Sequence, residues 1–175
     1  SEQPNSRWYS GAGIYRPVTL WTAPARHILP DGVQVRTLSI DPAEVEVTVQ
    51  TTASGAVAVA ILDGEQTVAT AQAESNGKAV LRVQIPNAKL WSPDSPALYR
   101  CRAMFGDDCA ETTFGVRTLS WGDDGFLLNG KRVILLGACV HHDHGVLGAC
   151  CYPEAEERKV RLLQKVGYNL SLIHI

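Results

Sequence analysis

The densest group of chemically capable side chains is His141-His142-Asp143-His144, three imidazoles and a carboxylate in four positions. Imidazole and carboxylate can hydrogen-bond the hydroxyl groups of a ligand, or hold a neighbouring reactive group in place. A metal-binding reading draws on Cys139, His141, His142, His144, Cys150 and Cys151, all of them ligand types. Their spacing argues against it. No Cys-x-x-Cys or His-x₃-His pattern occurs, and the adjacent Cys150 and Cys151 chelate poorly. Ligand-pocket lining is therefore the first reading of this loop, loop packing the second and metal the third. The one acidic cluster, Glu154, Glu156 and Glu157, follows Pro153 at the start of an expected helix. There the positive end of the helix dipole favours carboxylates, so these are read as solvated helix-start charges and not as catalysts.

These groups must be held by the elements around them. Val133-Ile-Leu-Leu-Gly-Ala-Cys-Val140 is apolar on both faces, as in a strand covered on both sides. Pro153–Val166 reads as a helix: Val160, Leu163 and Val166 form its apolar stripe, Glu157 and Arg161 are spaced i, i+4, and Gly167 stops it. Strand, loop, helix and a new strand near Asn169 make one βα unit of a barrel or doubly wound sheet. In a barrel, the loop holding His141–His144 would lie at the C-terminal end of the strand, where active sites sit.

Upstream, the chain reads as β structure. Seven short segments are expected: 33–38, 44–52, 56–63, 67–73, 79–85, 97–105 and 111–116. Val45, Val47 and Val49 alternate with polar residues, as do Val57 and Val59. Punctuation falls at Asp41-Pro42, Ser54-Gly55, Asp63-Gly64, Asn76-Gly77 and Gly106-Asp107. Asn129-Gly130 is a hairpin signal. The expected fold is mainly β: an immunoglobulin-like β-sandwich followed by the first βα unit of a truncated (β/α)8 barrel. Composition adds exclusions. The 175 residues carry a formal net charge of −2 with no basic run, so nucleic acid is not an expected partner. No apolar run is long enough to span a bilayer as a helix. Five cysteines without regular spacing favour reduced thiols, and so a cytoplasm, over a disulfide framework.

Four segments, in order, carry a resemblance: Ser6-Arg-Trp-Tyr-Ser-Gly-Ala-Gly-Ile-Tyr-Arg-Pro-Val-Thr-Leu20; Leu90-Trp-Ser-Pro-Asp-Ser-Pro-Ala-Leu-Tyr99; Phe114-Gly-Val-Arg117 with Gly125-Phe-Leu-Leu-Asn-Gly-Lys-Arg-Val133; and Gly137-Ala-Cys-Val-His-His-Asp-His-Gly145. Together they resemble the glycoside hydrolase family 2 β-galactosidases and β-glucuronidases. The resemblance implies that residues 1–24 end a sugar-binding jelly roll, 25–118 form the immunoglobulin-like domain and 119–175 open the catalytic barrel. It implies a retaining exo-β-glycosidase acting on terminal β-linked sugars, with two carboxylates flanking the scissile bond. Both family glutamates lie on later barrel strands, and no residue here matches them. The chain is expected to be a fragment, inactive by itself. The resemblance puts His142 and Asp143 at the rim of the sugar pocket. Arg7 and Trp8, with Tyr9, suit stacking and hydrogen bonding to sugar; packing at a domain junction is the other reading. An acidic residue that some members carry just before this Trp is replaced by Asn5 and Ser6. Trp91 and Trp121 are expected to pack between domains.

No catalytic residue and no metal ligand is assigned, and no cofactor is indicated; whether the parent enzyme uses a divalent or monovalent cation is left open. The expected partner is a carbohydrate substrate, and oligomeric state is not readable. After Gly-Tyr-Asn, family members continue with Ala, an apolar residue, Arg, a hydroxyl residue and Ser-His. Here Leu172 stands at the Arg position and Ile175 at the His position, so His174 does not inherit that role. Leu170-Ser-Leu-Ile-His-Ile175 matches the translation of a common transposase sequencing adapter, and is expected to be non-native; a divergent strand is the alternative. The competing function is a non-catalytic β-sandwich binding or spacer module, which would have no need of Val133–Val140 and the helix after it.

Overall fold

The computed structural model describes residues 14, 18–123, 125–141, 144–147 and 152–173. The chain divides into two compact units, residues 22–133 and a second that contains 134–175.

The larger unit is built on one antiparallel sheet: β1 (Ile28–Ile40), β2 (Ala43–Asp63), β3 (Gln66–Gln84), β4 (Tyr99–Phe105) and β5 (Asp108–Phe114). Strand β2 is long enough to serve different partners along its length. Its first half lies between β1 and the end of β3, with Val33 opposite Val49 and Val47 opposite Leu81. Its second half lies between the start of β3 and β4, with Val59 opposite both Ala71 and Ala103. Strand β5 continues the sheet beyond β4. Period-two alternation puts Val45, Val47, Val49, Val57, Val59 and Ile61 of β2 inward. Leu81 and Val83 of β3 and Cys101, Ala103 and Phe105 of β4 join them in one apolar core. Burying each such valine or leucine contributes about 1.5–3 kcal/mol.

Two pairs of expected strands are in fact continuous. Segments 44–52 and 56–63 form β2, and 67–73 and 79–85 fall almost wholly within β3. The expected turns do not reverse the chain, because they meet each other: Ser54 pairs with Asn76 and Gly55 with Ser75. The Ser54 hydroxyl donates to Asn76 Oδ1 at 2.8 Å, and the buried hydroxyls of Thr51 and Ser75 lie 2.7 Å apart. A register shift between Gln50 and Ser54 marks the irregularity. Small polar residues thus satisfy one another inside the ribbon, and the valines on either side reach a common core.

Residues 86–98 form no strand, but they are tied down. Leu90 bridges Val116, and Trp91 N–H donates to the Val116 carbonyl at 2.9 Å. The Arg117 guanidinium stacks 4.3 Å from the Trp91 ring centroid. A side chain on Gly115 would put Cβ 2.7 Å from Trp91 Cβ, so only glycine allows this approach. Trp91 is therefore engaged within its own unit, whereas Trp121 is 79% exposed. A three-stranded sheet follows: β6 (Leu119–Gly122), β7 (Gly125–Leu128) and β8 (Lys131–Arg132). The expected Asn129-Gly130 turn joins β7 to β8, with φ of 51° and 74°.

In the second unit, β9 (Gly137–Val140) leads through a short 3₁₀ turn (Gly145–Leu147) to α1 (Pro153–Lys165) and β10 (Leu170–Ile173). Strands β9 and β10 pair in parallel, Gly137 with Leu170 through Val140 with Ile173. The helix begins on Pro153, carries Glu154 and Glu156 in its first turn, and ends as expected just before Gly167. The expected strand over Val133–Val140 is shorter. Ile134, Leu135 and Leu136 lie outside it and are 68%, 47% and 52% exposed. No residue of α1 is buried. Nothing among the described residues supplies the two covering layers that the apolar run calls for.

Candidate functional site

The parallel β9–α1–β10 arrangement puts the loop after Val140 at the C-terminal end of a strand, the end at which parallel α/β folds bind ligands. Four candidates, His142, Asp143, Arg7 and Trp8, lie outside the described residues, and so does Tyr9. The described flanks of the loop, His141 and His144, are both tied to the helix. His144 has only 7% of its side chain exposed, and its Nε2 lies 2.6 Å from Glu156 Oε1. With Glu156 ionised, the imidazole Nε2–H is the donor. Lys159 Nζ lies 3.2 Å from Glu156 Oε2 and donates to the His141 carbonyl at 2.9 Å. One turn of helix, through Glu156 and Lys159, thus contacts both His141 and His144.

This cluster divides the three glutamates that the sequence grouped together. Glu154 is exposed, and Glu157 is exposed and paired with Arg161 as its spacing suggested (Nε to Oε1, 2.9 Å). Glu156 is half-buried against the loop. The reading of Glu156 as a solvated charge is corrected: proximity to His144 and Lys159 gives it structural partners. The i, i+3 spacing of Glu156 and Lys159 was a usable sign of that pair, but nothing in the spacing pointed to His144.

No group of three or more His, Cys, Asp and Glu among the described residues is placed to hold a metal ion. A shallow groove between β1 and β5 is lined by Leu29, Asp31–Gln34 and Ala110–Thr112, and so contains two carboxylates, Asp31 and Glu111. Glu111 is unsuited to act as a proton donor. The hydrogen bond from Arg102 lowers its pKa from the ordinary carboxyl range, and nearby Arg100 adds to this. A general acid needs its pKa raised.

The family model of glycosyl hydrolases family 2 matches residues 31–117, the stretch from within β1 to just past β5. A β-galactosidase of Bacteroides ovatus, BoGH2A, is 34% identical over 97% of this chain and 22% of its own length. A solved glycosyl hydrolase family 2 member from Bacteroides cellulosilyticus aligns with TM-score 0.72 at 32% identity, over 85% of this chain and 22% of that one. A β-glucuronidase from Ruminococcus gnavus, solved with D-glucuronic acid, aligns with TM-score 0.72 at 25% identity, over 85% and 26%. The chain spans about a fifth to a quarter of the length of these proteins. The likeness to BoGH2A runs through both units, past the stretch that the family model matches, and the chain belongs to glycosyl hydrolases family 2.

Proposed function

We propose that this chain is part of a retaining exo-β-glycosidase that removes a terminal β-linked galactose or glucuronic acid. One observation carries the reading: the match to a β-galactosidase extends over 97% of the chain, through the sheet unit and on into β9, α1 and β10. In this reading residues 1–24 close a jelly roll, 25–118 are an immunoglobulin-like sandwich and 119–175 begin a (β/α)8 barrel. The shared core of β1–β4 supports the sandwich, and the parallel β9–α1–β10 unit supports the barrel. Retention requires one carboxyl group to protonate the leaving oxygen and a second, about 5–5.5 Å from the first, to attack the anomeric carbon. By the family pattern both belong to later strands than those present here. This chain would contribute the pocket rim, with His142 and Asp143 bonding sugar hydroxyls and Arg7 and Trp8 flanking the ring.

The test is turnover of nitrophenyl β-galactoside and nitrophenyl β-glucuronide. The open reading frame that carries this sequence should yield a protein that hydrolyses one of them. The purified 175-residue chain should hydrolyse neither. His142→Ala and Asp143→Asn in the longer protein should each lower kcat/KM by about tenfold or more, as misplaced substrate contacts do. Turnover by the 175-residue chain, lost on replacing one of its own acids, would refute the assignment of the chemistry to later strands. A full protein inert on every β-glycoside would favour a spacer module.

A further inference from the structure

We propose that Trp91, Arg117 and Asn129 form a rigid joint that locks the β6–β8 sheet onto the sheet of β1–β5, so that the chain leaves this unit at Val133 in a fixed direction. The proposal stands apart from the glycosidase reading and needs only residues 37–133. The two sheets are connected through 115–118, a short link between β5 and β6. Links of this kind are where hinges form, because a few changes of φ and ψ swing everything beyond them. Here the link is held on every side. Val116 is fully buried in the apolar core, and its carbonyl accepts from Trp91 N–H at 2.9 Å. Arg117 N–H donates to Thr37 Oγ1 of β1 at 3.3 Å, and its guanidinium lies over the Trp91 ring. The Thr118 carbonyl accepts from Asn129 N–H at 2.9 Å, and Thr118 N–H donates to Asn129 Oδ1 at 3.0 Å. Those bonds extend the β6–β7 ladder. The third bond of Asn129 leaves it: Nδ2 donates to the Trp91 carbonyl at 3.0 Å. One side-chain amide thus meets an N–H with its oxygen and a carbonyl with its nitrogen, which fixes its orientation. The last residue, Val133, is tied back to the Phe126 carbonyl at 3.0 Å. Trp91 is the common member. Its N–H faces the core side, its carbonyl faces the β7–β8 turn, and its ring carries Arg117. Segments 90–99, 114–117 and 125–133, far apart in the sequence, therefore meet at one residue.

Residual dipolar couplings of backbone N–H groups test this, because they report the orientation of each sheet and not only its stability. The ¹⁵N-labelled 175-residue chain is weakly aligned in a dilute liquid-crystalline medium. Couplings from β1–β5 and from β6–β8 should fit one alignment tensor. Asn129→Gly keeps the positive φ of the turn and removes the two side-chain bonds. Arg117→Ala removes the exposed guanidinium and leaves the backbone bond to Thr37. In the double variant the β6–β8 couplings should shrink and lose their fit to the β1–β5 tensor. The β1–β5 couplings should keep their own fit, which shows that the core remains folded. Each single variant should show a smaller loss in the same direction. A separate tensor for β6–β8 in the unsubstituted chain would overturn the joint. So would one shared tensor surviving in the double variant.

Discussion

Glu111 and Cys101 both belong to the β4–β5 ladder and respond to pH in opposite directions. Glu111 lies opposite Arg102 across β4 and β5, and also reaches Arg100 at 3.4 Å. These cations lower its pKa from an ordinary value of 4.5. A carboxylate with a depressed folded pKa contributes stability above its unfolded pKa and loses it as pH falls through the folded value. The wild-type urea midpoint should therefore fall more steeply than that of Glu111→Gln once pH drops below about 4.5. The pair is solvent-exposed, so the difference should shrink in high salt. Parallel curves for the two proteins would show that the pairing carries no linkage. Cys101 behaves as a buried acid: loss of solvent pushes its thiol up to about 11. Its neutral form is the one that fits the core. Stability is complete below the unfolded thiol's value near 9.0 and is lost as pH rises from there towards 11. The same burial predicts selective chemistry. At pH 8 an alkylating reagent should label the exposed Cys109 and Cys139 in the folded chain, and Cys101 only after denaturant is added. Peptide mass mapping decides it, and early labelling of Cys101 would mean that the core opens locally.

At the scale of elements, two asparagines do work that ladder hydrogen bonds do elsewhere. Asn129 forms the β7–β8 turn, and its side chain also accepts from Thr118 N–H at 3.0 Å and donates to the Trp91 carbonyl at 3.0 Å. Asn169 accepts from Leu136 N–H at 2.9 Å and donates to the Ile134 carbonyl at 2.9 Å, just ahead of the β9–β10 ladder. Asn129→Gly separates the two duties of the first, because glycine keeps the positive φ and removes only the side-chain bonds. The sheet unit should lose about 1–2 kcal/mol, read from the urea midpoint. No change would mean that water replaces both partners at no cost. These elements also show what was legible beforehand. The turn at Asn129-Gly130, the helix from Pro153 and the inward valines of β2 follow from local rules of φ, capping and period two, and all were readable. The fusion of short strands into β2 and β3 was not. Ser54-Gly55 and Asn76-Gly77 signal turns when read alone, and only their pairing across the ribbon makes them a bulge. The same limit hid the Glu156–His144 contact, which joins residues 12 apart through the fold and leaves no periodic trace. The candidate sugar-contacting residues were named from family likeness, because an isolated His-Asp or Arg-Trp pair has no local signature of its own.

At the scale of the whole chain, the two units should differ in the stability of their own cores. The sheet unit buries twenty apolar side chains, from Ile28 to Leu128, and almost all of them meet in one core. The side chains described between Ile134 and Ser171 include no buried apolar one: Ile134, Leu136, Val160, Leu162 and Val166 are each about half exposed or more. Burial at about 25 cal/mol per Å² of apolar surface is the main force opposing chain entropy, so the contrast decides which unit holds itself together. Native-state hydrogen exchange should find the slowest amides in β2 and β4, exchanging only through global unfolding, and fast exchange throughout α1 and β10. A protein trimmed to residues 22–133 should melt in a single cooperative transition near that of the 175-residue chain. A piece comprising 134–175 should bind a hydrophobic dye and associate, because an apolar run without covering layers exposes both its faces and its strand edges. Slow amides in α1 of the 175-residue chain would contradict this division. They would mean that the helix and the run from Ile134 to Val140 gain their protection from burial that the exposures quoted above do not contain.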